Sequence, residues 1–130
     1  MKARWIVVAA LCVLVLVTPV GAHHGQSMYQ LQQWLTLEGT AKQVRWTFPH
    51  AWIFLEVKNE KGELALWALE GANPNAITEA GTKRENIRPG DQVRVRCHPL
   101  QGTGTGCLLG FVTPTHGDTA RGHGVERPWN

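Results

Sequence analysis

The stretch "WLTLEGTAKQVRWTF", Trp34 to Phe48, decides the fold. Leu35, Leu37 and Ala41 stand on odd positions, whereas Val44, Trp46 and Phe48 continue the alternation on even ones. Apolar residues at every second position mark a strand with one buried face. A phase change inside such a strand needs an extra residue, so the pattern predicts a bulge or sharp bend near Lys42-Gln43.

Downstream, "AWIFLEVK" (51–58) puts Ile53, Leu55 and Val57 on one face and Trp52 and Phe54 on the other. "NEKG" (59–62) suits a tight hairpin, with Gly62 free to adopt positive φ. "ELALWALE" (63–70) is apolar on both faces, which predicts a third strand at least partly covered on both sides. "NPNAITEAG" (73–81) reads as a short helix with Asn73 as N-cap, Pro74 at its first position and Gly81 at its end. Thr82 and Glu85 have capping-box spacing for a further turn. "QVRVRC" (92–97) turns Val93, Val95 and Cys97 inward, and "CLLGFV" (107–112) supplies a fifth strand beyond a glycine-rich loop.

Three strands, a short helix and two more strands, with the first strand long and bent, match the order of an OB-like barrel. The expected fold is therefore mainly β: a small five-stranded OB-like barrel with a short helix between strands three and four. A small open sandwich is the alternative. Residues 34–113 form this domain. Residues 23–33 read as a polar N-terminal arm, and the Gly-rich, polar residues 114–130 as a flexible tail.

The chain opens with Lys2 and Arg4, an apolar run from Trp5 to Val17, and the small residues Gly21-Ala22. This is the layout of a signal peptide, residues 1–22, cleaved after Ala22. The apolar run falls short of the roughly 20 residues that span a bilayer. Cys12 lies inside it without a lipidation motif. The expected location is periplasmic or secreted, with no membrane association after cleavage. The formal charge is +3, but the leader contributes two bases and no acid, so the remainder is nearly neutral. Nothing in that balance favours nucleic acid or anionic lipid as a partner.

Cys97 and Cys107 flank one hairpin loop and, in an exported chain, read as a disulfide. The rival reading is a thiolate metal site built from Cys97, His98 and Cys107. Cleavage after Ala22 would give His23 a free α-amine beside its imidazole. That nitrogen pair suits Cu(II) best among common divalent ions. A second imidazole would complete a three-nitrogen histidine brace. His24 is adjacent, but His50, in "RWTFPHAWI" at the junction of the first two strands, is better separated. The other reading of His23-His24 is an exposed pair on an arm, and of His50 a packed turn residue.

Glu70 ends an otherwise apolar strand, where its carboxylate can support a histidine, bind metal directly, or accept hydrogen bonds from the following helix N-terminus. Trp46, Trp52 and Trp67 are candidates for an aromatic ligand surface. No catalytic constellation is present: Ser27 is the only serine, and neither a nucleophile elbow nor a zinc-protease motif occurs. This makes a binding module a better reading than an enzyme.

Taken in order, "AHHGQS", "LEGTAKQVRWTFPHAWIFLEV", "WALEGANPNAI" and "IRPGDQVRV" resemble a bacterial exported family known only as a domain of unknown function. The resemblance covers most of residues 22–112. It implies that the cleavage site, His50, Glu70, Asn73 and Asn75 are family features, and it implies no activity. Two departures stand out: Phe48, where that family usually has Asn, and the pair Cys97/Cys107.

The reading is an exported β-barrel binding module that takes copper, as Cu(II), through His23 with His50, His24 being a further candidate. The alternative is a metal-free module that binds a protein or small ligand on the aromatic surface. A third reading is a copper monooxygenase.

Overall fold

A computed structural model describes residues 25–130. The predicted signal peptide, Cys12 and the His23-His24 pair lie outside the described residues. The strands are β1 (Leu35–Arg45), β2 (Trp52–Lys58), β3 (Leu64–Glu70), β4 (Gln92–Pro99), β5 (Gly106–Pro114) and β6 (Arg127–Pro128). A single short helix, α1 (Pro74–Glu79), separates β3 from β4.

The strands run in the order β3-β2-β1-β4-β5-β6. Parallel pairing of β3 with β5 closes the first five into a barrel, and β6 adds to its outside. This is the OB-like order expected from the sequence. The long strand β1 makes closure possible by pairing twice, with β4 over Leu35–Thr40 and with β2 over Gly39–Arg45. Gly39 lies where the two pairings overlap. A Cβ there would collide with the Glu56 carbonyl oxygen, so only glycine permits the bend. The register shifts between Ala41 and Gln43, where the phase change predicted it.

The interior is filled from every wall. Ile53, Leu55, Leu69, Val95, Cys97, Cys107 and Leu109 are fully buried, and Ile77 of α1 plugs one end. α1 begins as expected: Asn73 Oδ1 accepts from Ala76 N at 3.0 Å, and Pro74 follows it. The next turn is capped one residue later than its spacing suggested. Asn86 Oδ1 accepts from Lys83 N at 2.7 Å, while the Thr82 hydroxyl donates to the Pro128 carbonyl. Cys97 and Cys107 are disulfide-bonded across the β4–β5 hairpin, which leaves no thiolates for a metal site with His98. His98 instead donates to the Gln33 carbonyl and lies tilted against the Trp34 ring.

Several expectations are corrected. Residues 114–130 are not a loose tail. The buried ring of Trp129 meets Trp46 edge-on with centroids 5.4 Å apart, Trp129 N donates to Gly110 O, and its own carbonyl accepts from Ala72 N. Arg121, within the same segment, forms a two-pronged pair with Asp91. Burial opposes the charge of Asp91, but the Arg121 guanidinium and the Arg88 N–H hold its carboxyl below the ordinary range.

Nor are residues 25–33 a free arm. Tyr29 is buried, Gln30 N donates to Pro99 O, and Gln101 N donates to Met28 O. Phe48 does not continue the inward phase of β1 but is 65% exposed in the loop beyond it. The outer face of β3 is covered only in part, as expected: Leu64 and Leu66 are exposed, Ala68 is half-buried and Glu70 is buried. Among the described residues no helix is long and apolar enough to cross a membrane.

Candidate functional site

Glu70 ends β3, and the β1–β2 loop delivers His50 beside it. A short ladder fixes the two segments against each other: Gly71 N donates to Ala51 O at 2.8 Å, and Ala51 N donates to Ala72 O at 2.9 Å. Gly71 is required at this crossing, because a Cβ would lie 2.9 Å from the Trp129 carbonyl oxygen. Thr47 Oγ1 donates to the His50 carbonyl at 3.0 Å and steadies the loop.

The His50 imidazole places Nδ1 3.1 Å from the Gly71 carbonyl oxygen and 3.5 Å from Glu70 Oε1. A carbonyl oxygen can only accept, so Nδ1 carries the proton. In the neutral ring this leaves the lone pair on Nε2, the tautomer in which a histidine binds a metal through Nε2. The His50 side chain is 45% exposed, whereas that of Glu70 is 11% exposed. The buried carboxylate is satisfied from the other side by Tyr29, whose hydroxyl donates to Oε2 at 2.5 Å. Burial first, then the Glu70 hydrogen bond and charge, raise the Tyr29 pKa, which keeps the hydroxyl protonated and donating.

These groups border a pocket of about 370 Å³ lined by Gly25, Gln26, Pro49, His50, Glu70 and Asn73, among others. Gly25, the first described residue, approaches the carboxylate closely, since a Cβ there would lie 4.0 Å from Glu70 Oε1. Among the described residues no three His, Cys, Asp or Glu side chains are grouped so as to hold a metal ion. His50 and Glu70 supply two such groups at this pocket. No third histidine, cysteine or carboxylate side chain is among the residues that line it.

The structure thus brings together His50, Glu70 and Asn73. Asn73 is occupied as the helix cap. Glu70 accepts from Tyr29 and faces His50, while the helix N-terminus is met by Asn73. Sequence reasoning missed Tyr29, because a lone tyrosine in a polar segment gives no sign that its partner lies 41 residues away.

The three tryptophans are not brought together. Trp67 lies opposite Leu55 and packs on the core, as does Trp46. Trp52 points outward from β2 and stacks on Phe54, with ring centroids 6.3 Å apart. An aromatic surface shared by all three therefore does not exist.

No curated protein and no solved structure matches the chain. A family model described as "Family of unknown function (DUF6152)" matches residues 10–108, which include β1 to β4, His50, Glu70 and both cysteines of the disulfide. By that match, the chain belongs to the DUF6152 family of unknown function.

Proposed function

We propose that this protein is a small exported binding module that holds a copper ion at the His50–Glu70 pocket. In this reading, removal of residues 1–22 exposes His23. Its α-amine and imidazole supply two nitrogens, and Nε2 of His50 supplies the third. The α-amine must lose its proton to bind, so affinity rises with pH toward and through that group's ordinary range of about 7.7–8.0. Three nitrogens of this kind favour Cu(II) over the other common divalent ions.

One observation carries the reading: Gly25 lines the same pocket as His50 and Glu70. His23 precedes Gly25 by two residues, and two residues of fully extended chain span at most about 7 Å. The tautomer of His50, with Nδ1 donating to the Gly71 carbonyl, supports it further. Export is supported by the leader pattern and by the Cys97–Cys107 disulfide, which belongs in an oxidising compartment.

The test is a Cu(II) titration of protein whose first residue has been verified as His23. Submicromolar binding that is lost in both His23→Ala and His50→Ala is expected. Binding at micromolar or weaker affinity, unchanged by His23→Ala, would sink the proposal.

A further inference from the structure

The His50–Glu70 pocket holds more polar groups than one metal ion can use. Gln26, Asn73 and Asn130 line it beside the two ionisable residues, and no lysine or arginine does. Asn73 Oδ1 accepts from Ala76 N, but its side-chain N–H groups are uncommitted among the described residues, and so are the side-chain amides of Gln26 and Asn130. Glu70 is already paired: the Tyr29 hydroxyl donates to Oε2, and His50 Nδ1 stands 3.5 Å from Oε1.

The groups left unpaired are neutral, with donors and acceptors side by side. That decides against charged ligands. A phosphate or carboxylate would meet the Glu70 carboxylate and no cation. An ammonium group would find that carboxylate engaged. An extended peptide needs an open sheet edge, whereas β3 is paired on both sides at Glu70, with Trp52 and with Leu108. A sugar meets the set, because each hydroxyl both donates and accepts and so matches an amide from either end.

A sugar ring also has a face of C–H groups, which needs an apolar wall. Trp52 stands opposite Glu70 on the same outer face, and such cross-strand pairs hold their Cβ atoms about 5 Å apart. The indole is half-buried and its ring is braced by Phe54. Arg45 does not bring charge to the pocket: its guanidinium covers the Phe54 ring and donates to Gln43. The volume of about 370 Å³ falls among small-ligand sites, which span about 300–1,000 Å³.

We propose that this pocket binds a neutral saccharide, with one sugar ring against Trp52 and its hydroxyls on the amides of Gln26, Asn73 and Asn130. The inference rests on the reading of the pocket as a binding site, but not on copper.

The experiment titrates the intact protein, kept metal-free by a chelator, with maltotriose, cellotriose and chitotriose, and with glucuronate as the charged control. Nuclear magnetic resonance follows the indole N–H of Trp52 and the side-chain amides of Gln26 and Asn73. At least one neutral probe should shift all three signals with a millimolar or lower Kd, and glucuronate should shift none. Trp52→Ala should weaken that binding about tenfold, whereas Trp52→Phe keeps a ring and should keep most of the affinity. Trp34→Phe is the control, since Trp34 is 53% exposed but lies beside His98 and Phe111. Silence of the three signals with every neutral probe at tens of millimolar overturns the proposal. So does binding of glucuronate as tight as that of the neutral sugars, or an equal loss from Trp34→Phe. The shifts are read on the unaltered chain, so they decide the matter even if a variant fails to fold. The Cu(II) titration is run without sugar, so either reading can fail while the other stands.

Discussion

The hydroxyl of Tyr29 donates to Oε2 of Glu70 at 2.5 Å and ties the N-terminal segment to the end of β3. Tyr29→Phe would leave a buried carboxylate oxygen without its donor. The expected loss is about 1.5–3 kcal/mol at neutral pH, read as a lower urea midpoint with an unchanged slope. The bond also predicts an alkaline effect. Burial, then the Glu70 bond and charge, raise the Tyr29 pKa in the folded state, whereas an unfolded tyrosine ionises near pH 10. Above that pH the folded state holds more protons than the unfolded one. The contribution is therefore complete below about pH 10 and is lost as pH rises from there through the higher folded value. Urea midpoints between pH 9 and 11 should fall more steeply for the wild type than for Tyr29→Phe. Equal slopes would mean that Tyr29 ionises as readily folded as unfolded.

Trp129 closes the barrel end beneath the pocket. It is 1% exposed, and its main chain bridges Gly110 and Ala72. Trp129→Ala removes a fully buried indole and should cost about 3–5 kcal/mol. Deleting residues 115–130 should cost at least as much, because it also removes Arg121 from Asp91. Denaturant unfolding followed by Trp fluorescence and by circular dichroism checks both. A truncated chain as stable as the full one would return the segment to the status of a tail.

The Cys97–Cys107 bridge spans a sequence separation of 10 and should contribute about 2.5–3 kcal/mol in the chain-entropy account. Both residues are fully buried. Thiol reductants should therefore break the bridge only as fast as the hairpin opens, with a rate that becomes independent of reductant at high concentration. The double variant Cys97→Ala/Cys107→Ala should fold with a correspondingly lower urea midpoint. Rapid reduction that stays proportional to reductant would contradict the burial.

The barrel was legible in the sequence because its signals are local. The bulge at Lys42 follows from two apolar phases a few residues apart, and the helix cap from Asn73-Pro74 in one dipeptide. What was illegible depends on distant partners. The burial of Trp129 requires close approach to Gly71 and Gly110, which no property of "RPWN" discloses. The apolar pattern of β3 foretold partial cover on both faces, but not that the cover begins only at Ala68, since a pattern does not say what lies opposite. The capping turn was offset because Thr82/Glu85 and Lys83/Asn86 have the same spacing, and only the pull of Pro128 on Thr82 separates them. At the pocket, His50 and Glu70 could be named from strand ends, whereas Tyr29 could not.

The orientation of His50 yields a contrast between two neighbours. Glu70 Oε1 lies 3.5 Å from His50 Nδ1 and reinforces the hold of the Gly71 carbonyl on that proton. Glu70→Gln keeps an oxygen for Tyr29 but removes the charge behind the imidazole. If copper binds as proposed, affinity should fall about 10–100-fold, the usual effect of losing a carboxylate behind a liganding histidine. Asn73 lines the same pocket but spends its oxygen on Ala76 N. Asn73→Ala should cost about 1 kcal/mol of stability through the lost cap and leave copper affinity unchanged. Competition titrations with a chelator of known affinity, run on both variants, separate the roles. Equal losses of affinity would mean that the pocket responds only to general loosening, and that the carboxylate has no part in orienting His50.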